Sequence, residues 1–364
     1  MSGRNGIIAF CGYDFKNVGD DAFMLVVDHL LSRERRRQVG YVTSSYIPAP
    51  AQARSIRPIY GGLSTVRGGH LPRLAFAATQ SQALVFFGGS IMHETCHFER
   101  ERIKILTLRA LSRGGPAGAL GLSIGPILTE RQKKAFVSFS TCLDFITVRD
   151  EKSLATLRNY GVRTPAACFF DLAALLLDAV DLPTGRDQDR SWIGIAPCAM
   201  HVGGESDSAQ MEKIASALRA GKHRHIRIFC FNGHKKYGDR PMAQKISDRL
   251  GDDVVCEIID YSPDPVAFLR LVSECKLMIA MRLHAAVFSY LGEVPLVILS
   301  YHQKCAGFAA EIGLSPSLVL KIPFSVSSLT VAIARAFDCR AQLPVKKAVE
   351  SARCHWHWAK RNFL

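Results

Sequence analysis

Three side chains that can carry a positive charge follow two apolar segments in the last third of the chain. Arg282 and His284 come directly after the segment 277–280, and Lys304 comes shortly after the segment 295–300. Near-continuous apolar strands are typical of a parallel sheet covered on both faces, and ligands of such sheets bind at the carboxyl ends of the strands. Apolar walls with convergent positive groups suit a small polyanion, so we expect an anion-binding pocket here.

The residue types in this group suggest distinct roles. Arginine binds carboxylate or phosphate through a planar fork and keeps its charge, which makes Arg282 a suitable anchor. A histidine beside two cations titrates readily and can transfer a proton, so His284 is a candidate acid. The alternative for His284 is a structural histidine that hydrogen-bonds its own loop. We favour the functional interpretation for both residues and for Lys304.

A further cation, Arg149, ends the predicted strand 145–148 and is followed by the acidic helix start Asp150 and Glu151. An arginine at such a position is often a surface residue or pairs with the helix cap, here Asp150. We favour a functional role, because we expect Arg149 to face the same opening as Arg282.

Gly88 and Gly89 follow another predicted strand, 83–87. Paired glycines at a strand end let the backbone approach a ligand and present amide groups to it. Glu94 lies just beyond and is a candidate base or hydroxyl acceptor. Four residues of metal-ligating types cluster here: His93, Glu94, Cys96 and His97. Their spacing matches no zinc signature, so we predict no metal site.

The segment 121–125, GLSIG, matches the G-x-S-x-G pattern of hydrolase nucleophile elbows. Pro126 follows at once, and no later Asp and His pair has a distinctive context. We interpret the segment as a tight glycine turn, with Ser123 as a nucleophile the alternative. The chain has no P-loop motif, and no G-x-G-x-x-G follows its first strand, so NTPase and dinucleotide-binding functions lose their main support.

Near the amino terminus, the segment 17–20, NVGD, precedes an amphipathic helix predicted over about 21–31. We expect Asp20 to be the N-cap of this helix and Asp21 to complement its positive end. The alternative to a functional role for the segment is that it is only a well-formed cap.

Strands and helices alternate along most of the chain, which predicts a parallel, doubly wound sheet. The polar segment 181–191, DLPTGRDQDRS, is typical of a linker, and the alternation restarts after it. We therefore predict an α/β protein with two Rossmann-like doubly wound domains facing a cleft, in a GT-B-like arrangement. The predicted parts are an amino-terminal domain at 1–180, the linker at 181–191, a carboxy-terminal domain at 192–344, and a basic terminal helix at 345–364.

Composition narrows the class of protein. Hydrophobic residues make up 48% of the 364 residues and charged residues 21%, which is typical of a globular chain and excludes disorder. Forty-six Lys and Arg against 32 Asp and Glu give a net charge of +14, which favours anionic partners. The 11 cysteines form no C-x-x-C pair, so we expect reduced thiols and a cytoplasmic location. No apolar run reaches the roughly 18 residues of a membrane span.

The terminal segment combines basic residues with Trp356, Trp358 and Phe363. A basic helix with aromatic residues can lie on an anionic membrane surface. We favour the alternative, a last helix that packs across the first domain with its charges solvated, and keep peripheral membrane contact open.

Taken together, several short motifs resemble the polysaccharide pyruvyl transferase family. They are 17–20 (NVGD), 87–90 (FGGS), 121–126 (GLSIGP), 146–151 (ITVRDE), 171–173 (DLA), 281–284 (MRLH) and 301–304 (YHQK), with Pro295. The resemblance spans about 7–314 in the expected order. It implies transfer of the enolpyruvyl carbons of phosphoenolpyruvate (PEP) to a sugar as a cyclic ketal, with release of phosphate. The family's third glycine is Ser90 here, and Glu94 stands where Asp is common.

The resemblance also implies roles for individual residues. The expected PEP-binding residues are Arg149, Arg282, Leu283, His284 and Lys304. The expected catalytic residues are His284, Glu94 and Asp20. The loops expected near the acceptor contribute Asn17, Gly19, Gly88, Gly89, Ser90 and Gly125. We predict no cofactor, with PEP and a free or lipid-linked sugar as partners and no nucleic acid.

Other functions remain open at this point. A GT-B glycosyltransferase would use the same cations to bind the diphosphate of a nucleotide sugar. A non-enzymatic binder of anionic glycan or nucleic acid would spread its cations over one face, whereas the cations here follow apolar strands. A regulatory sensor of sugar phosphates on the same fold is the remaining alternative.

Overall fold

A computed structural model describes residues 6–10, 16–33, 39–42, 53, 56–58, 71–179, 190–199, 206–301 and 303–362. Most of the predicted linker, at 181–189, lies outside the described residues. The chain divides into two compact units. The first comprises Met1–Asp14, Asp20–Ala179 and Ala348–Leu364, and the second comprises Phe15–Gly19 and Val180–Lys347.

The first unit is built on a seven-stranded parallel sheet in the order β3-β2-β1-β4-β5-β6-β7. Its elements in chain order are β1 (Gly6–Phe10), α1 (Val18–Arg33), β2 (Val39–Val42), β3 (Ile56–Pro58), α2 (Leu71–Gln80), β4 (Ser81–Phe87), α3 (Phe98–Leu111), β5 (Ala117–Leu122), α4 (Glu130–Ser140), β6 (Phe145–Val148), α5 (Glu151–Asn159), β7 (Ala166–Cys168), a 3₁₀ turn at Leu172–Leu175 and α6 (Leu176–Ala179).

Both faces of this sheet are buried. On one face, alternate strand residues such as Phe86 and Ile146 pack against α2, α3, α4 and α5 in one hydrophobic cluster. On the other face, Phe145 packs edge-to-face against Trp358 of the last helix, α13 (Val345–Asn362). Because side chains alternate along a strand, neighbouring residues of β6 reach opposite layers, which is why these strands are apolar throughout.

The last helix is held on the first unit by a buried polar contact. The His355 imidazole is fully buried, with Nδ1 2.6 Å from the Thr147 hydroxyl and Nε2 2.9 Å from the Phe170 carbonyl oxygen. A carbonyl only accepts, so Nε2 carries the proton and Nδ1 accepts from Thr147. Burial lowers the pKa of His355 to about 4, so the imidazole is neutral near pH 7. The charged residue Arg353 forms an ion pair with Asp178 at the edge of the same contact.

The second unit contains a six-stranded parallel sheet in the order β10-β9-β8-β11-β12-β13. Its elements are β8 (Trp192–Ala196), α7 (Asp207–Ala220), β9 (His225–Phe229), α8 (Arg240–Ser247), β10 (Val255–Ile259), α9 (Pro265–Ser273), β11 (Cys275–Ala280), α10 (Leu283–Leu291), β12 (Leu296–Ser300), α11 (Gln303–Glu311), a 3₁₀ turn at Pro316–Leu318, β13 (Val319–Lys321) and α12 (Val326–Ala336).

Each sheet has the doubly wound order of a Rossmann fold. The strand order reverses between β1 and β4 in the first unit and between β8 and β11 in the second. At such a reversal the helices on either side diverge, which opens a crevice at the carboxyl ends of the strands. Within the described residues, no helix is both long and apolar enough to cross a membrane.

One predicted cap is wrong. Helix α1 begins at Val18, so Asp20 lies inside its first turn. The Asn17 side chain instead accepts a hydrogen bond from the Gly19 amide at 2.9 Å. Asn and Asp cap helices about equally well, so the residue types alone do not distinguish Asn17 from Asp20. The cap is the one that directly precedes the first helical residue.

Candidate active site

The carboxyl ends of β11 and β12 form the first part of the candidate site. The two strands are parallel neighbours, with Ala280 opposite Ile298, so the segments that follow them emerge at one edge of the sheet. Helices α10 and α11 begin there, and their first amides form the positive ends of two helix dipoles. Lys304, half-buried in the first turn of α11, adds a cation where a helix favours an anion.

Arg282 is the cap residue of α10, and it forms a buried ion pair. Its Nε lies 3.1 Å from Oδ1 of Asp239, and its Nη2 donates to the same oxygen. Two donors of its guanidinium, Nε and Nη2, are directed at this one carboxylate. Burial opposes the charge, but Asp239 outweighs it and holds the pKa of Arg282 above its ordinary value. Arg282 is therefore a fixed, permanently charged donor.

Asp239 is a site residue that the sequence did not reveal. It precedes α8 as a cap residue would, yet its side chain makes no cap hydrogen bond. The carboxylate is fully buried, and its Oδ2 accepts the Asn232 amide at 2.8 Å while both oxygens face Arg282. Because Asp before a helix normally indicates a cap, the sequence alone gave no reason to connect it with an arginine 43 residues later.

Cys198 and Tyr301 are two further residues at this edge of the sheet. They follow β8 and β12, and their side chains are hydrogen-bonded to each other next to Arg282. Burial raises the pKa of the Cys198 thiol to about 12 and also raises the pKa of the Tyr301 hydroxyl. Both groups are therefore protonated near neutral pH, and Cys198 is not a thiolate nucleophile.

His284 lies in the first turn of α10 against the backbone of Gly19. Residues 16–18 pair antiparallel with 231–233 after β9, through the hydrogen bonds Val18 N to Phe231 O and Gly233 N to Lys16 O. A Cβ placed on Gly19 would lie 1.8 Å from His284 Nδ1, so only glycine fits here. The close approach fixes the orientation of the imidazole and accounts for the glycine of the NVGD motif.

The corresponding edge of the first unit is organised by Arg149. Its guanidinium donates from Nη1 to Asp171 at 2.7 Å, from Nε to the Ser123 hydroxyl at 2.7 Å, and from Nη2 to the Ser90 hydroxyl at 3.3 Å. Arg149 is only 4% exposed, so this strand-end cation is buried among its three partners. The alternative pairing with Asp150 is wrong, since that carboxylate caps α5 by accepting the Ser153 amide.

Through these hydrogen bonds Arg149 connects the loops that follow four neighbouring strands, β4, β5, β6 and β7. Gly88 and Gly89 both have positive φ, 58° and 75°, which favours glycine. Oδ1 of Asp20 is 3.8 Å from the position of a Cβ on Gly89, and Ser90 follows as an Arg149 partner. The hydroxyl and glycine backbone of this loop therefore lie beside a carboxylate from α1, and such groups can hydrogen-bond sugar hydroxyls.

The G-x-S-x-G segment is a glycine turn in this structure. Gly121 and Gly125 have positive φ, and the Gly125 amide donates to the Met92 carbonyl. The Ser123 hydroxyl donates to Oδ2 of Asp150 at 2.9 Å and accepts from Arg149, so its proton is directed at a carboxylate rather than at a histidine. This arrangement gives Ser123 a structural role.

Glu94 is fixed through its backbone, because its carbonyl accepts a 2.7 Å hydrogen bond from the Gln132 side chain. Its Oε2 atom is buried and has no hydrogen-bond partner among the described residues. Neighbouring His93 is engaged locally by the Thr95 hydroxyl. No group of three or more His, Cys, Asp or Glu in the described ranges could hold a metal ion.

Comparison with known proteins identifies the family. The model of the polysaccharide pyruvyl transferase family matches residues 17–303, a range that includes the site residues described above at both edges except Lys304. The chain belongs to the polysaccharide pyruvyl transferase family. No curated protein matches this chain.

Solved structures confirm the predicted fold class. S. aureus MnaA in complex with UDP is 13% identical, with a TM-score of 0.64 and coverage of 99% of this chain and 97% of that chain. UDP-GlcNAc 2-epimerase from Neisseria meningitidis is 11% identical, with a TM-score of 0.63 and coverage of 98% and 100%. Anabaena Alr3699/HepE in complex with UDP-glucose is 11% identical, with a TM-score of 0.57 and coverage of 98% and 95%. This pyruvyl transferase family member thus has the two Rossmann-like domains of the GT-B fold.

Proposed function

We propose that this transferase uses PEP to form a pyruvate ketal on a sugar of an exopolysaccharide or cell-surface glycan, or of its lipid-linked precursor. The observation that carries the proposal is the grouping of Arg282, His284 and Lys304 at the starts of α10 and α11, at the carboxyl ends of adjacent strands. PEP carries a carboxylate and a phosphate, about three negative charges near neutral pH. Family membership supplies the class of reaction.

The second unit is the proposed donor side. Lys304, the first-turn amides of α10 and α11, and the Arg282 guanidinium would bind the two anionic groups of PEP. Because Asp239 neutralises much of the Arg282 charge, the helix ends would supply much of the net attraction. In a partly dry crevice such preorganised donors act strongly on developing charge.

The chemistry requires a proton donor beside the methylene carbon of PEP. Protonation there gives the neighbouring carbon oxocarbenium character, one sugar hydroxyl adds to it, phosphate leaves, and a second hydroxyl closes the ketal ring. His284, oriented by the backbone of Gly19, is the proposed acid, or it stabilises the departing phosphate. The protons of the two hydroxyls pass to a base and to phosphate.

The first unit is the proposed acceptor side. Asp20 beside Gly89 is the best-placed carboxylate to orient or deprotonate a sugar hydroxyl, with Ser90 as a further polar contact. Glu94 remains a candidate, since its buried Oε2 has no partner among the described residues. Arg149 would act indirectly, because its donors hold the Ser90, Ser123 and Asp171 side chains in place.

The proposal is tested by incubating the purified chain with PEP and candidate free or lipid-linked glycans. The expected result is acceptor-dependent release of phosphate together with a mass gain of the acceptor equal to the pyruvyl group. Hydrolysis of PEP without acceptor modification, or no reaction with any glycan panel that includes lipid-linked forms, would count against it.

A nucleotide-sugar transferase is the second candidate, because solved structures of this fold bind UDP and UDP-sugars. Those proteins are too distant to show more than the fold. Thermal unfolding with PEP or with UDP-GlcNAc separates the two, since a ligand that binds the folded state raises the melting temperature. We expect PEP to raise it and UDP-GlcNAc to leave it unchanged.

A further inference from the structure

Large apolar side chains are exposed on two neighbouring helices of the first unit. Phe76 on α2 is 69% exposed, and Ile103 and Leu106 on α3 are 64% and 42% exposed. Leu71, at the start of α2, is also more than half exposed. Single exposed apolar residues are common, but a contiguous group of them marks an interaction surface.

The sequence of α3 is apolar on both sides of the helix. Phe98, Ile105 and Leu108 face the core, whereas Ile103, Leu106 and Ala110 recur at helical spacing on the solvent side. A surface helix normally has one apolar stripe, and that stripe faces the core. We therefore expect a binding partner to cover the exposed apolar stripe of α3.

The exposed residues of α2, α3 and α4 lie on the same side of the first unit. Leu74 of α2, Ile105 of α3 and Phe136 of α4 all belong to the hydrophobic cluster on one face of the sheet. The outward sides of the three helices must then face solvent together, and α3 contacts both α2 and α4. We call this surface the α2–α4 face.

The α2–α4 face also carries several exposed cations. Exposed Arg73, Arg100, Arg131 and Lys134 come from its three helices, and exposed Arg113 directly follows α3. The exposed acids on these helices are Glu99 and Glu130, and Glu130 is already paired with Lys133. Exposed apolar side chains together with an excess of exposed cations suit an interface of acyl chains and anionic head groups.

We infer that the α2–α4 face docks the protein on an anionic lipid membrane. Association of two copies through this face would bring its cations against one another, which like-charge repulsion disfavours. The basic terminal helix is a poorer candidate, because Trp356 is buried and Trp358 packs on Phe145 in the first unit. The inference goes beyond the proposed function, since lipid binding needs neither donor nor acceptor.

Co-sedimentation of the full chain with vesicles tests this inference, with phosphatidylcholine alone compared with phosphatidylcholine plus phosphatidylglycerol. We expect binding to the phosphatidylglycerol vesicles that weakens as salt rises. The double variant Phe76→Ser/Ile103→Ser should bind at least about tenfold more weakly, because it loses two apolar groups from the interface. Arg73→Gln/Arg100→Gln should lose about fivefold per arginine.

The control variant Tyr237→Ser/Val331→Ser removes two exposed apolar side chains from the second unit and should bind like the original chain. All four replaced apolar residues are exposed, so equal melting temperatures will show that folding is intact. Absence of binding to phosphatidylglycerol vesicles, or unchanged binding by Phe76→Ser/Ile103→Ser, would overturn the inference. A dimer that sedimentation velocity detects for the original chain but not for Phe76→Ser/Ile103→Ser would also overturn the inference.

Discussion

At the scale of single residues, the main finding is that both arginines expected to bind PEP sit in buried ion pairs. Arg149 is paired with Asp171, and Arg282 is paired with Asp239. A paired arginine contributes orientation and a few directed donors rather than a free charge. Each arginine is therefore a fixed structural donor at the edge of its own sheet.

His284 is the residue on which the proposed chemistry depends most. We expect His284→Gln to lower the rate of ketal formation about 100-fold or more, because an amide cannot donate a proton to carbon. His357→Gln is the matched control, since His357 is exposed on α13, and its rate should equal that of the original protein. A His284→Gln rate within about threefold of the original would remove His284 from the mechanism.

Asp239 should be needed for stability as well as for the site. Asp239→Asn leaves the largely buried Arg282 without a counter-charge, so we expect the free energy of unfolding in urea to fall by roughly 3 kcal/mol. Adding Arg282→Met should restore most of that stability, since no buried charge then remains, but not the activity. An unchanged stability of Asp239→Asn would mean that the pair is not formed in solution.

At the scale of elements, the docking of α13 makes stability depend on pH. The pKa of His355 is about 4 in the folded protein, against 6.5 for an unperturbed imidazole. Between these values the unfolded chain holds a proton at this side chain and the folded chain does not. The free energy of unfolding should therefore fall as the pH drops from about 6.5 to about 4, by on the order of 3 kcal/mol from this residue.

Urea unfolding of the original chain and of His355→Gln across this pH range measures the effect. The difference between the two proteins should shrink as the pH falls, because glutamine does not titrate. His357→Gln, on the exposed side of the same helix, should keep the original pH dependence. A constant difference between the original chain and His355→Gln would show that the imidazole is not buried in a neutral form.

The elements show where sequence reasoning succeeds and where it stops. The strands at 117–122, 145–148 and 192–196 could be predicted with the bounds they have, because short, nearly continuous apolar runs flanked by turn residues mark buried strands. Edge strands β3 and β13 have three residues each and carry no such run. The ion pair of Arg149 joins residues 22 positions apart through the fold, which no local pattern indicates.

At the scale of the whole molecule, the location of the donor site can be tested without any acceptor. We expect PEP to slow amide hydrogen exchange at the first turns of α10 and α11, where the helix amides would bind its anionic groups. UDP-GlcNAc at the same concentration is the control and should leave these amides unchanged. Protection confined to the Gly88–Ser90 loop would instead place the donor on the first unit.

The cations and helix ends at the edge of the second unit have a metabolic consequence. Under the proposed function, inorganic phosphate released from PEP would bind the same donors as the phosphate of the next PEP molecule, so it should compete with that molecule. Such product inhibition would slow turnover when the phosphate pool is high. Decoration of the glycan would then respond to the nutritional state of the cell through this group of residues alone, without a separate regulatory domain.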